Sequence, residues 1–262
     1  GQVEHLAFDT IGEPFLDKSF EKYVAHANRH GLRTSTVSNG MPLTEARAIE
    51  VLKSGLDYIS FSIDSPIAAV HDEIRGQKGG WEKTVRNIKM LQRLRRARAA
   101  ETGQRNPNPQ VMVICVVSRD NFRELDKMAE LMVELRVPRL RLVYAASVDD
   151  DTAANLAESS GDADARSNAH RFGLDTDNLH IDEEDLPLLM EQIGRLTLKC
   201  SNFGITLDPA INAVNLSRPC HVLWHQTFVD KFGNVYPCPM MTDTHLGNVR
   251  HQSLDEIWHS DE

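Results

Sequence analysis

The sequence lacks the features of secreted, membrane-spanning and nucleic-acid-binding proteins. Four cysteines in 262 residues are too few for the disulfide scaffold of a small secreted protein. No secretory signal pattern opens the sequence, and no run approaches the ~20 consecutive apolar residues of a transmembrane helix. The formal net charge of -9 argues against a nucleic-acid partner, because phosphate binding requires a basic surface. We therefore expect a cytoplasmic protein with reduced thiols and no membrane or nucleic-acid partner.

What the sequence does contain is an alternation of short β-branched runs with longer helical patterns. Thr44 is predicted to cap one of these helices. Alternation of strands with helices of about 10–15 residues favours a parallel α/β sheet, as an incomplete barrel or an open sheet. The five predicted strands are Val3–Phe8, Thr34–Ser38, Tyr58–Ile63, Val111–Val117 and Arg139–Tyr144.

The second half of the chain changes in composition. Asp149–Asn168 is rich in Asp, Ala and Ser and is typical of a mobile loop or a linker. A helix is predicted over Glu183–Phe203, and the chain after Gly204 is predicted to be short and irregular, with a hairpin and a last helix at Leu254–Trp258. This pattern predicts an α/β core over residues 1–145, a linker with a flanking helix over 146–205, and a C-terminal segment over 206–262.

Four polar motifs follow the first three predicted strands, and the fourth is predicted in the loop beyond the third motif. Because ligands of parallel α/β folds bind at the carboxyl ends of the strands, we expect these motifs around one pocket. Each motif alone also has an ordinary structural explanation as a first-turn acid, a turn or a helix cap. The motifs are Gly12-Glu13-Pro14, Ser38-Asn39-Gly40, Ser62-Ile63-Asp64 and His71-Asp72-x-x-Arg75-Gly76.

In this order, the motifs resemble those of the radical S-adenosylmethionine (SAM) superfamily, from Val3 to about Tyr144. The resemblance implies an α/β fold, a partial (β/α)6 TIM-like barrel of which strands two to six are present. A carboxylate suits the ammonium group of SAM, and a guanidinium holds a carboxylate in a bidentate fork. The implied contacts are Gly12 and Glu13 at the SAM amino group, Ser38 and Asn39 beside the cofactor, Ser62 and Asp64 at the ribose, and Arg75 at the methionine carboxylate.

The sequence departs from the family pattern in two places. Ile11 stands where the family has the first glycine of Gly-Gly-Glu-Pro, which adds bulk and stiffness there. The family's Cys-x3-Cys-x2-Cys motif, whose thiolates hold the [4Fe–4S] cluster that reduces SAM, is absent from this chain. We expect the motif upstream of Val3, in a longer protein; the alternative is a relative that has lost the chemistry. The sequence identifies no catalytic residue.

Two cysteines near the end of the chain have the spacing of metal ligands. Twelve residues separate Cys220 from Gly233, and four separate Gly233 from Cys238, so a hairpin turning at the glycine would bring the thiolates together. Thiolates select iron–sulfur clusters or zinc. The pattern is similar to that opening the SPASM and twitch extensions of radical SAM enzymes, and implies an auxiliary [4Fe–4S] cluster with two of its ligands present. The alternatives are zinc, completed by His221, His225 or His245, and inert thiols.

The remaining cysteines have a different environment. Cys115 lies in an apolar predicted strand and Cys200 within a helical pattern. Both are predicted to be small core residues rather than ligands.

The resemblance also implies a reaction. A reduced [4Fe–4S] cluster would split SAM into methionine and a 5′-deoxyadenosyl radical, which would abstract hydrogen from a peptide, a protein side chain or a small metabolite. Such a radical SAM oxidoreductase or maturase would need an electron donor such as a flavodoxin or ferredoxin. Two alternatives are a degenerate, non-catalytic ligand-binding barrel with a structural metal site, and another α/β-barrel enzyme with a zinc-stapled tail.

Overall fold

The computed structural model of the chain describes residues 3–9, 12–105, 107–144, 181–209, 225–238 and 244–260. These residues belong to two units, a larger one that ends at residue 209 and a smaller one that begins at residue 225. The predicted linker, Ile11 and Cys220 lie outside the described residues. No helix in the described ranges is long and apolar enough to cross a membrane.

A parallel sheet organises the larger unit. Its strands lie in the order β1-β2-β3-β4-β5-β6, and every neighbouring pair is parallel. Spatial order thus follows chain order without a reversal, which is the arrangement of a barrel rather than of a doubly wound sheet. The predicted partial (β/α)6 barrel is therefore confirmed. The described strands are β1 (His5–Phe8), β2 (Arg33–Ser38), β3 (Tyr58–Ser62), β4 (Gln110–Val117), β5 (Arg139–Tyr144) and β6 (Thr206–Pro209).

Helices connect most of these strands. The hydroxyl of Thr44 accepts a hydrogen bond from the Arg47 N–H at 3.3 Å, which confirms the predicted cap, and the same helix ends at Gly55 with φ 85°. Short 3₁₀ turns precede three of the helices, at Pro14–Leu16, Phe122–Lys127 and Glu183–Asp185. The helices of the larger unit are α1 (Phe20–Arg29), α2 (Glu45–Ser54), α3 (Ala68–Ile74), α4 (Gly80–Thr102), α5 (Met128–Leu135) and α6 (Leu186–Phe203).

The hydrophobic core lies between the helices and one face of the sheet. Along β4, residues alternate between full burial, as at Val113 and Cys115, and half-burial, as at Ile114. The nearly continuous apolar sequence of β4 is typical of a strand buried on both faces, but in the described structure one of these faces is only half-buried. We call the sheet face opposite the helices the inner face. Its members used below are Ser60, Ser62, Met112, Ile114, Val116, Arg139, Arg141 and Asp208.

Two elements of the larger unit differ from the prediction. Thr206–Pro209, predicted as irregular chain, is strand β6 and pairs with β5. The motif that begins at His71 was predicted in a loop, but it starts on helix α3 and ends just after it. A strand of four residues and a helix of seven residues are both too short for a periodic pattern to identify.

The smaller unit contains an antiparallel sheet and a short helix. Strands β7 (Phe228–Val229) and β8 (Asn234–Tyr236) form the predicted hairpin, with Gly233 at φ 87° in its turn. A third strand, β9 (Gly247–Asn248), pairs with β8 and was not predicted. The last helix, α7 (Leu254–Trp258), has the predicted bounds and begins with a capping box.

Candidate active site

Glu13 lies after β1 and is held by the end of β2. The Ser38 hydroxyl donates to Glu13 Oε1 at 2.7 Å, and the Asn39 N–H donates to Oε2 at 2.7 Å. The Phe15 N–H also donates to Oε1, at 3.1 Å. Glu13 is half-buried and Ser38 is buried, whereas the neighbouring Gly12 is exposed. The structure therefore brings Glu13, Ser38 and Asn39 together, with a fixed carboxylate at the carboxyl end of β1.

A tight turn after β2 positions Ser38 and Asn39. The Gly40 N–H donates to the Ser38 hydroxyl at 2.8 Å, and the residue has φ 75°. A Cβ atom on Gly40 would lie 2.9 Å from Phe61 Cδ1, so the turn has no space for a side chain. The Asn39 side chain accepts a hydrogen bond from the Met41 N–H at 2.9 Å. In this structure, the amide of Asn39 therefore stabilises the turn.

Helix α4 supports the same turn through two side chains that the sequence analysis did not identify. The Thr84 hydroxyl donates to the carbonyl of Asn39 at 2.6 Å, and the Asn87 amide donates to the carbonyl of Gly40 at 2.8 Å. Both side chains are buried. The position of the Glu13 carboxylate thus depends on a helix more than 60 residues further along the chain.

Asp64 and Arg75 form an ion pair after β3. Arg75 Nε donates to Asp64 Oδ2 at 2.5 Å, and the Val116 N–H donates to Asp64 Oδ1 at 3.0 Å. The Asp64 side chain is 2% exposed and that of Arg75 is 35% exposed. Within the described ranges only Nε of Arg75 is engaged, so both of its terminal nitrogens remain available to a ligand. The arrangement is a guanidinium oriented by a buried carboxylate.

The His71 side chain fixes the backbone of Asp64. The Asp64 N–H donates to His71 Nδ1 at 3.1 Å, which assigns the ring proton to Nε2. Burial lowers the pKa of His71; the Asp64 charge opposes this shift and the Arg75 charge adds to it. The Asn121 amide donates to the Asp64 carbonyl at 2.6 Å. His71 is therefore a neutral, structural acceptor.

The side chain of Asp72 contacts the start of α4 rather than Asp64. Its carboxylate accepts hydrogen bonds from the N–H groups of Gly79 at 2.5 Å and Trp81 at 2.9 Å, at the start of α4. Burial raises the pKa of Asp72, but these backbone hydrogen bonds outweigh burial, so the pKa lies below its usual value. Asp72 thus stabilises the first turn of α4.

Ser62 ends β3 on the inner face. It is half-buried and in register with Ile114 of β4. The structure thus places the predicted residues in two groups, one around Glu13 and one around Asp64, both at the carboxyl ends of neighbouring strands. A carboxylate and a partly exposed guanidinium complement the ammonium and carboxylate of an amino-acid group. This donor set fits the methionine moiety of SAM.

Cys238 follows β8 in the smaller unit and is half-buried. The preceding hairpin is stabilised by Asp230, which accepts hydrogen bonds from Phe232, Asn234 and Tyr236 at 2.8–3.3 Å. No cluster of three or more metal-ligating side chains occurs within the described ranges, and Cys220 lies outside them.

The other two cysteines are in the core of the larger unit. Cys115 and Cys200 are 0% and 1% exposed. Burial raises the pKa of Cys115 well above its usual value and, with a smaller effect of the Glu130 charge, that of Cys200 to about 11. Both are protonated thiols, as predicted for core residues, and are poor ligands.

Comparison with known proteins identifies the family. The model of the radical SAM superfamily matches residues 4–132, and that of SPASM, an iron–sulfur cluster-binding domain, matches residues 220–262. With the partial barrel, these matches show that the chain belongs to the radical SAM superfamily and carries a SPASM-type extension. The family implies SAM and [4Fe–4S] clusters as cofactors, and the donor set around Glu13 and Arg75 agrees with the first of these.

Particular relatives are enzymes of two kinds. The chain is 26% identical over 265 residues to an AdoMet-dependent heme synthase of Nitratidesulfovibrio vulgaris, covering 97% of this chain and 65% of that protein. It is 32% identical over 131 residues to the PqqA peptide cyclase of Rhizobium meliloti, covering 50% of this chain and 32% of that protein. The chain therefore spans less than two thirds of the length of either relative.

Solved structures agree on the fold. SuiB of Streptococcus suis bound to its precursor peptide SuiA superposes with a TM-score of 0.69 at 10% identity, covering 98% of this chain and 54% of that chain. SuiB bound to SAM superposes with a TM-score of 0.66 at 12% identity, covering 98% of this chain and 55% of that chain.

Proposed function

We propose that the protein is a radical SAM enzyme that generates a 5′-deoxyadenosyl radical to abstract hydrogen from a peptide, a protein side chain or a small metabolite. The observation that carries this proposal is that a fixed carboxylate, Glu13, and an oriented guanidinium, Arg75, lie at the same edge of the sheet. Glu13 is fixed by Ser38 and Asn39, and Arg75 is oriented by the buried Asp64. Such preorganised groups bind a zwitterionic amino-acid moiety without reorganisation.

The side chains take distinct roles in this proposal. Glu13 binds the SAM ammonium beside the exposed backbone of Gly12, and the terminal nitrogens of Arg75 bind the SAM carboxylate. Ser62 meets the ribose from the end of β3. Asp64 departs from the ribose contact that the resemblance implies, because its side chain is 2% exposed and both of its oxygens have partners. We assign it to positioning Arg75.

The auxiliary cluster belongs to the smaller unit. Cys220 and Cys238 are the proposed thiolate ligands, and both lie within the SPASM match. When bound, reduced [4Fe–4S] clusters and SAM supply the one-electron chemistry for hydrogen abstraction. The proposal places the protein in a reducing cytoplasm with a flavodoxin- or ferredoxin-type donor. It also requires a Cys-x3-Cys-x2-Cys segment in the full-length protein.

Two substrate classes have support. SuiB has been crystallised with a precursor peptide, and another relative is a peptide cyclase. The AdoMet-dependent heme synthase, which aligns with 97% of this chain, instead supports a small metabolite as substrate. Both a peptide and a small metabolite are therefore retained as proposed substrates.

The test is reconstitution of the full-length protein with iron and sulfide under anaerobic conditions. Absorbance near ~400 nm is expected from cysteine-ligated clusters, and reduction with dithionite should release 5′-deoxyadenosine from SAM. Glu13→Gln and Arg75→Gln should each weaken SAM binding about 10- to 100-fold, since each removes a charge-assisted contact. Glu134→Gln, which alters an exposed ion pair with Lys89, is the matched control.

Three outcomes would contradict the proposal. Clusters and SAM binding without 5′-deoxyadenosine would instead support a non-catalytic barrel. Stoichiometric zinc without absorbance near ~400 nm would support the zinc-stapled alternative. Equal SAM affinity in Glu13→Gln and Glu134→Gln would show that the Glu13 carboxylate does not bind the cofactor.

A further inference from the structure

The inner face of the sheet carries a continuous row of four side chains. Ser62 on β3 is in register with Ile114 on β4, Ile114 with Arg141 on β5, and Arg141 with Asp208 on β6. Residues in register on neighbouring parallel strands point to the same face. The row thus begins at the proposed ribose contact and ends in an ion pair, with an aliphatic side chain between them.

The ion pair between Arg141 and Asp208 leaves one polar atom of each side chain without a described hydrogen bond. Arg141 Nε and Nη2 donate to the same oxygen of Asp208, Oδ2, at 3.0 and 2.7 Å. The side chains are 40% and 35% exposed, so the pair remains accessible in the described structure. Described contacts engage neither Asp208 Oδ1 nor Arg141 Nη1. Asp208 therefore orients the guanidinium and leaves one of its edges to another acceptor.

A second arginine adds a positive charge to the same face. Arg139 precedes Arg141 by two residues and therefore points to the same side of the sheet. Its Nε is buried, and no acceptor for it exists in the described part of the chain. Two guanidiniums and one carboxylate leave a local charge of one positive unit. An incoming anion would be attracted by this excess positive charge rather than by a contact with the buried Nε of Arg139.

The neighbouring strand has a different character. Met112, Ile114 and Val116 of β4 are half-buried on the inner face and present aliphatic surface beside the arginines. The inner face thus changes from small hydroxyls on β3, through aliphatic groups on β4, to cations on β5. Adjacent strands lie about 4.8 Å apart, which puts the backbone of Arg141 about 10 Å from that of Ser62.

We propose that Arg141, with Arg139, is a specificity-determining site for a substrate carboxylate whose apolar carbon skeleton lies on β4. The inference rests on the proposed function in that it places the reacting part of this substrate towards Ser62 and the SAM site. A carboxylate receives bidentate hydrogen bonds from guanidinium groups and neutralises the excess positive charge. The substrate class is therefore an amphiphilic carboxylate.

The test measures binding without turnover, by calorimetry on the full-length reconstituted protein. The probes are octanoate and its neutral counterpart octanamide. Octanoate should bind at least about 10-fold more tightly than octanamide, and Arg141→Met should weaken octanoate binding about 10- to 100-fold. Arg139→Met should weaken it in the same direction. Arg93→Met, which removes an exposed arginine paired with Glu45, is the matched control and should bind as the wild type does.

A further variant and a further probe separate the possible explanations of a change in octanoate binding. Arg141→Lys retains the charge and should recover part of the affinity, which separates the lost contact from misfolding. N-acetylleucine carries the same chemistry on a peptide-like frame, and its affinity relative to octanoate distinguishes a peptide source from a free acid. Failure of wild-type protein to prefer octanoate to octanamide, or equal binding by Arg141→Met and Arg93→Met, would overturn the inference. Since no probe is turned over, absent 5′-deoxyadenosine with intact octanoate binding would refute the proposed function alone.

Discussion

Removal of the negative charge from Asp64 is the most direct probe of how this site is built. A buried ion pair that loses one partner costs about 3–5 kcal/mol, whereas an exposed pair contributes about 0–1 kcal/mol. Asp64 is 2% exposed and Arg75 is 35% exposed, so water screens one end of the pair only. We expect Asp64→Asn to lower the free energy of unfolding by about 2–3 kcal/mol. The amide oxygen can still accept from Val116, which keeps the loss below that of a fully buried pair.

Denaturant unfolding of the full-length protein, followed by circular dichroism, measures this loss. Glu134→Gln, in the exposed pair with Lys89, should cost less than about 1 kcal/mol. Because Arg75 loses its orienting partner, Asp64→Asn should also bind SAM more weakly. The effects of Asp64→Asn and Arg75→Gln should be non-additive by about 1–3 kcal/mol. A loss no greater than that of Glu134→Gln, or strict additivity, would refute this account of the pair.

Three further predictions concern the surrounding structure. Burial lowers the pKa of His71 below 6.5 in the folded state, so the free energy of unfolding should fall as the pH drops below about 6.5. The variant His71→Asn keeps a hydrogen-bond acceptor but does not titrate in this range, and it should lose less stability between pH 7.5 and 5.5. Denaturant unfolding at both pH values measures the difference. Gly40→Ala should cost about 1–3 kcal/mol and weaken SAM binding because its Cβ meets Phe61 at 2.9 Å. Gly31→Ala, with similar φ and open space, should cost only about 1 kcal/mol and leave SAM binding unchanged. Asp230→Ala removes the hairpin's main acceptor and should lower the iron content of the reconstituted protein; unchanged iron would show that the hairpin does not support the auxiliary site.

Much of the fold could be predicted because its signals are local. β-Branched runs identify β1 to β5, and Thr44 and the capping box of α7 mark helix starts. Motif order indicates the pocket because parallel strands bring their carboxyl ends to one edge. Strand β6 was not predicted because four residues ending in proline are too few to show the alternation of a strand.

The roles of individual site residues were harder to predict. The sequence places Asp64 and Arg75 eleven residues apart, but only the fold shows that they pair with each other. Thr84 and Asn87 have no local signal at all, because their hydrogen bonds to the turn after β2 span 45 and 47 residues. Such long-range contacts depend on how α4 packs, which no short window of sequence contains.

The alternation along β4 has a consequence for how this protein family can diversify. Val113 and Cys115 hold the core, so changes there are expected to reduce stability. Met112, Ile114 and Val116 contribute less to packing because they are only half-buried. A single strand thus separates residues that must be kept from residues that are free to vary. New substrates can be accommodated by changing every second position of β4, while the scaffold and the edge proposed to bind SAM remain intact.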